Sequence, residues 1–214
     1  MAMFQDLVAK GQLLIHVDDI IIATEGGEEH LELLENVFTT LAQFGVNINA
    51  GKCVICRPSV SFLGMRISKN GIQPDLMRYS SIFLWPEPKT KRQLQKFIGF
   101  MNYFHTFIEN CAHRLAPLRE AVQTTSKRLD WTESCQLAFD DLKAALMAGS
   151  MLHHIDYNAT MHIHVDTATS TGIGAVLYQE KDGVKQPLMF QSRRLTDAEK
   201  NYTPTDAELC GVYW

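Results

Sequence analysis

The spacing of apolar residues changes partway along this chain, and that change limits the available folds more than any other feature. From Thr90 to Ile108 the residues Leu94, Phe97, Ile98, Met101 and Phe104 recur at helical steps. After Asp156 the period becomes two: Met161, Ile163 and Val165 alternate with His162, His164 and Asp166. A helix buries a stripe and a strand buries one face, so the two patterns together predict an α+β fold. Trp85-Pro86-Glu87-Pro88 breaks both patterns and marks a boundary, giving expected divisions at 1–84, 85–150 and 151–214.

Local signals fill in these divisions. Leu13–Val17 and Ile20–Ile22 read as two buried strands joined by a tight hairpin with Asp18 and Asp19 at its tip. Glu28–Phe44 is an amphipathic helix on the stripe Leu31, Leu34, Phe38 and Leu41, with Gly45 as its C-terminal stop. Short strands are expected at Val46–Ile48, Cys53–Ile55 and Phe62–Ile67, with a turn at Asn70-Gly71. Thr90-Lys91-Arg92-Gln93 has capping-box form, a second helix falls near His113–Val122, and Thr132 opens a third. That third helix carries the stripe Ala138, Leu142, Ala145 and Leu146 and ends at Gly149. Gly172–Gln179 and Pro187–Phe190 are strands around a turn at Lys181-Asp182-Gly183, and Thr205-Asp206-Ala207-Glu208 starts a final helix.

Composition excludes several classes. No run of about 18 apolar residues occurs, and the start Met1-Ala2-Met3-Phe4 lacks the basic-then-apolar order of a secretory signal, so a soluble, intracellular protein without a membrane segment is expected. Five cysteines, an odd number, fit a reducing compartment. Cys53-Val54-Ile55-Cys56 has metal spacing but lacks a second pair, and reads as part of a structural strand pair. The net charge is −4. Between Trp85 and Arg128, however, eight basic residues face three acidic ones, a local +5, and Lys89, Lys91, Arg92 and Lys96 of that stretch are candidates for phosphate-backbone contact. Their aromatic neighbours Phe97, Tyr103, Phe104 and Phe107 read as helix-packing core.

Two places could carry chemistry. Adjacent carboxylates at a hairpin tip repel unless a cation intervenes, so Asp18 and Asp19 are either a magnesium site or a plain acidic turn. Asp166 shares a strand face with His162 and His164, which leaves a His-x-His-x-Asp zinc site as a rival. Glu208 could be a catalytic carboxylate or could reach back to a helix cap. Gly172-Ile173-Gly174 opens no helix, so its glycines fit close strand packing, not dinucleotide binding.

His16-Val17-Asp18-Asp19 resembles the Tyr-x-Asp-Asp signature of reverse transcriptases, with His16 in place of the usual Tyr. Phe62-Leu63-Gly64 through Asn70-Gly71-Ile72 is similar to the hairpin that grips the primer in gypsy-type LTR retrotransposons. The likeness continues through Trp85-Pro86-Glu87-Pro88, Gly99–Ile108, Asp130-Trp131-Thr132 and Ala138–Lys143. Asp166 with the following Thr167–Leu177, then Ser192–Leu195 and Glu199–Tyr202, resembles a retroelement RNase H domain, with Glu208 at the position of its helix carboxylate.

The resemblance is to the Pol polyprotein of these elements. It implies a partial reverse transcriptase palm (1–84), a helical thumb with connecting helices (85–150) and the N-terminal half of an RNase H-like domain (151–214). It also implies polymerisation of DNA on RNA and cleavage of RNA–DNA hybrid by two-metal chemistry. Asp18, Asp19, Asp166 and Glu208 would be the catalytic and metal-binding residues. Mg²⁺ is the implied metal, with Mn²⁺ as a substitute; the implied partners are an RNA template, a DNA primer, RNA–DNA hybrid and, once the palm is complete, dNTP. The implied location is cytoplasmic, in a virus-like particle, or nuclear. Further ligands of both sites are expected outside residues 1–214, so the isolated chain should be nearly inactive. The competing expectation is a remnant that binds nucleic acid or protein without catalysis.

Overall fold

A computed structural model describes residues 4–168 and 172–214 of the chain, which divides into two compact units, one ending at Phe62 and one spanning Leu63–Trp214. In the first unit, α1 (Gln5–Ala9) leads into strands β1 (Leu13–His16) and β2 (Asp19–Ile22), followed by α2 (Gly27–Gln43) and β3 (Ser59–Phe62). β1 and β2 pair antiparallel from Leu13↔Ile22 to His16↔Asp19, leaving Val17-Asp18 as a two-residue turn. Phe4, Leu13, Leu33, Val37 and Leu41 form the core of this unit.

The buried stripe of α2 is therefore Leu33, Val37 and Leu41. Leu31 and Phe38, expected inside, are 61% and 39% exposed. A two-stranded hairpin covers only a narrow strip of helix, and residues spaced by four fill it. The helix does stop at Gly45: with φ +70, it lets Val46 N–H reach Leu41 O at 2.9 Å and its own N–H reach Ala42 O at 3.0 Å. Val46–Ile48 and Cys53–Ile55 form no strand. A 3₁₀ turn at Ala50–Lys52, capped by the Asn49 side chain accepting from Gly51 N–H, takes the place of a ladder, and Cys53 and Cys56 are exposed free thiols.

The second unit opens with the hairpin β4 (Met65–Ser68) and β5 (Gly71–Pro74). Its turn is Lys69-Asn70, one residue earlier than expected, because Ser68 pairs with Gly71. Gly71 has φ +147, and a Cβ there would stand 2.2 Å from Leu152 O. Helices follow: α3 (Leu76–Tyr79), α4 (Lys91–Tyr103), α5 (Cys111–Arg114), α6 (Ala116–Gln123) and α7 (Glu133–Ala148). The Thr90/Gln93 capping box is present, and Thr132 caps α7 by accepting from Cys135 N–H. Their shared core includes Leu94, Phe97, Met101, Phe104, Phe139 and Leu142. On α7 the buried stripe is Cys135, Phe139, Leu142 and Leu146, so Ala138 and Ala145 sit at its edge.

An antiparallel sheet, in the order β6 (Met161–Ala168), β7 (Gly172–Lys181), β8 (Val184–Arg193), packs Phe190 and Val176 against that core. Asp182-Gly183, with φ +52 and +74, makes the turn between β7 and β8, as expected of Asp-Gly. Residues 169–171 of the expected β6–β7 turn lie outside the described residues. α8 (Pro204–Tyr213) closes the chain. Ile72 and Leu152 exchange both backbone hydrogen bonds, at 2.8 and 2.9 Å, tying the β4–β5 hairpin to the segment that enters the sheet. No helix among the described residues is long and apolar enough to cross a membrane.

Candidate functional site

Cross-strand pairing fixes the first acidic site. Val17 takes φ +53, uncommon for a β-branched residue, and so holds a two-residue turn in which Asp18 is the second member and Asp19 the first residue of β2. Both carboxylates are exposed, and neither makes a hydrogen bond or ion pair with the described residues. His16 lies directly across from Asp19. The hairpin thus presents two adjacent oxygen donors on a short, defined backbone, with no ion pair to them among the described residues.

The second acidic site lies where α8 meets the sheet. Gly211 is the contact: a Cβ there would stand 2.3 Å from Thr167 Oγ1 and 3.0 Å from Val165 Cγ1. Glu208 lies three residues before Gly211 on the same side of the helix and is exposed. It is not a capping residue. The N-cap is Thr203, which accepts from Asp206 N–H, with Pro204 in the first turn, so the helix starts two residues earlier than expected and Glu208 is free of that duty. Asp166 sits between Val165 and Thr167, and strand alternation turns it to the other face of the sheet, in one row with Gly174 and Ser192. Asp166 and Glu208 thus belong to one packed strand–helix unit but leave it on different sides of the strand.

His162 and His164 share the face of Asp166, yet His162 is stacked on Tyr178, with ring centroids 5.2 Å apart and planes 16° apart. Among the described residues no three His, Cys, Asp or Glu side chains gather as a metal site, so the zinc reading of His162, His164 and Asp166 has no cluster behind it. The glycines of β7 are crowded, as strand packing requires: a Cβ at Gly172 would lie 2.3 Å from Arg193 O, and one at Gly174 2.1 Å from Asn110 Oδ1.

The four basic candidates separate by partner. Lys91 Nζ donates to Val122 O at 3.0 Å and to Thr124 O at 2.5 Å, holding the end of α6. Lys89, Arg92 and Lys96 make no side-chain bond to the described residues, and Arg92 and Lys96, four apart on α4, expose one cationic face. Phe97, Phe104 and Phe107 are buried, whereas Tyr103 is half exposed and donates its hydroxyl to Leu63 O.

Sequence reasoning gave no site role to the polar cluster under α8. Arg193 holds Glu199 through two hydrogen bonds of 2.8 and 2.9 Å, and Glu199 also accepts from Thr196 N–H. The Arg193 guanidinium first, then the Thr196 amide, pulls the Glu199 carboxyl far below the usual range. The signal was two opposite charges six residues apart, which a sequence shows but cannot orient.

Residues 2–67 match the reverse transcriptase (RNA-dependent DNA polymerase) family, and residues 131–214 match the RNase H-like domain found in reverse transcriptase. The chain is 30% identical over 209 residues to a retrovirus-related Pol polyprotein from transposon 412 of Drosophila melanogaster, covering 97% of this chain and 17% of that protein. It is 28% identical over 204 residues to the transposon Tf2-3 polyprotein of Schizosaccharomyces pombe, of which it covers 15%. The fold is similar to a foamy viral protease-reverse transcriptase solved with RNA/DNA hybrid, with TM-score 0.85 and 23% identity over 99% of this chain and 29% of that one. A related structure solved with double-stranded DNA gives TM-score 0.84 at 23% identity, over 99% of this chain and 37% of that one.

Proposed function

We propose that this chain, which belongs to the reverse transcriptase and RNase H region of retrotransposon Pol polyproteins, supplies part of a polymerase palm (1–84), a thumb with connecting helices (85–150) and the N-terminal half of a nuclease domain (151–214). The whole protein copies an RNA template into DNA from a DNA primer with dNTP and then cuts the RNA of the resulting hybrid. It works in the cytoplasm, within a particle, or in the nucleus. One observation carries the reading: Asp18 and Asp19 stand side by side at a two-residue hairpin turn with no side-chain partner among the described residues.

Exposed, uncompensated carboxylate oxygens suit a hard divalent cation. Asp18 and Asp19 would hold magnesium or manganese in the palm; Asp166 and Glu208, which leave β6 on different sides, would each need further ligands to hold one in the nuclease. Such an ion, when bound, neutralises charge on the attacking and leaving oxygens of phosphoryl transfer. The hairpin keeps the Asp18 and Asp19 carboxylates adjacent, and Arg92 and Lys96 would face a nucleic-acid backbone. Mn²⁺ should broaden the Asp18 and Asp19 resonances selectively in NMR spectra, and Asp18→Asn with Asp19→Asn should abolish the effect. Equal broadening in that double variant would overturn the palm assignment.

A second reading is favoured by Arg92 and Lys96, which have no side-chain partner among the described residues: a module that binds nucleic acid without catalysis. It predicts salt-dependent hybrid binding that does not change when Asp18, Asp19, Asp166 and Glu208 become amides.

A further inference from the structure

A pocket of about 260 Å³ lies where α4, α5 and α6 meet the end of β8, and no carboxylate of the described residues lines it. Arg119, Arg193 and Arg194 all border it. Glu199 and Glu120 engage Arg193 and Arg194 by ion pairs of 2.8 Å, but Arg119 has no acidic partner among the described residues. Its only hydrogen bond there is to Asn102 Oδ1, at 2.8 Å. A guanidinium has five N–H donors in a fixed fork, so about four remain available.

Asn102 and Ser192 add donors, and His105, which also borders the pocket, donates its Nδ1–H to Asn102 O at 2.7 Å. Asn102, with its Oδ1 already engaged by Arg119, has its amide N–H groups to offer. Ser192 Oγ accepts from Ala112 N–H at 2.9 Å, which leaves the hydroxyl proton to donate. Cys111 also lines the pocket, and burial pushes its thiol up to about 11 against the pull of Arg119 and Arg114, so it stays neutral near pH 7 and supplies no internal anion. Converging donors around an uncompensated guanidinium make a site for an oxyanion. The volume suits a single phosphate better than a nucleoside, whose pockets run from roughly 300 Å³ upward.

The pocket has a defined place on the sheet. Ser192 shares the face and the cross-strand row of Gly174 and Asp166, two strand spacings or about 10 Å away. Asn110 lies over Gly174 between them, and Val176 and Phe190 of the same face pack on the helical core, so the pocket is a recess separate from the exposed Asp166 edge.

We propose that this pocket, centred on Arg119 with Asn102 and Ser192, is a phosphate site that seats one backbone phosphate of a nucleic-acid strand. The choice of a backbone phosphate over free phosphate rests on the nucleic-acid reading given above; the oxyanion chemistry does not.

The test uses the whole 214-residue chain. Binding of a fluorescent RNA–DNA hybrid is measured by anisotropy across a salt series, alongside NMR of the Arg119 side-chain Nε–H during titration with inorganic phosphate. The expected result is hybrid binding whose salt slope falls by about one in Arg119→Gln, with affinity several-fold weaker, while Arg119→Lys keeps the slope. Ser192→Ala should weaken affinity without changing the slope. Hybrid binding that is identical in slope and affinity for wild type and Arg119→Gln, with both folded by circular dichroism, would overturn the proposal. If wild type binds no hybrid, the nucleic-acid reading fails separately. The phosphate titration then decides: a saturable Arg119 shift retains the oxyanion site with free phosphate as its source, and no shift removes it.

Discussion

Glu199 and Lys91 show how much a single side chain's partners decide. The Glu199 carboxylate, only 16% exposed and gripped by Arg193, has its pKa lowered in the folded state, so its stabilising effect is present above the ordinary Glu range and fades as pH falls below about 4.3. Glu199→Gln should therefore lower the melting temperature at pH 7, and the gap to wild type should narrow progressively as pH falls below the ordinary Glu range; a gap of constant size would contradict the pairing. Lys91 donates to two carbonyls at the end of α6, so Lys91→Met should cost about 1 kcal/mol in chemical denaturation. The same change should barely alter the salt slope of hybrid binding, whereas Arg92→Ala and Lys96→Ala should each reduce it by about one.

Element contacts hinge on a few small residues. At Gly211 an added methyl meets Thr167, whose Oγ1 is buried without a hydrogen-bond partner among the described residues. Gly211→Ala should destabilise the second unit by about 1–3 kcal/mol, and Thr167→Ala should recover most of that loss because it removes both the clash and the orphaned hydroxyl; additive losses in the double variant would show that the two do not touch. This contact was not legible in the sequence, since a helix start can be read from Thr and Pro but its docking partner cannot. The expected cap at Thr205 missed Thr203 for a related reason: two Thr residues flank Pro204, and only the fold selects between them. The capping box at Thr90, the Asp-Gly turn and the Gly45 stop were legible, because each is a bond between residues close in sequence. The stripe of α2 was misread by one helix face, because burial depends on what covers the helix. For the site, the acidic hairpin could be read directly, whereas the opposite facing of Asp166 and Gly211's contacts needed the register of β6.

At the scale of the molecule, no three His, Cys, Asp or Glu side chains gather among the described residues, and Asp166 and Glu208 leave β6 on different sides. Primer extension and hybrid cleavage by the purified 214-residue chain with Mg²⁺ should both remain near background; robust turnover in either would show that two ligands suffice. Within the second unit, the paired hydrogen bonds between Ile72 and Leu152 are reinforced by His154 Nε2 on Ser68 O at 2.7 Å and His153 N–H on Pro187 O at 2.8 Å. These rivets join a hairpin and a sheet that are about 80 residues apart along the chain. They should tilt together as a single plate, so spin labels at Lys69 and Asp182 would report one unchanging separation whatever the chain is bound to.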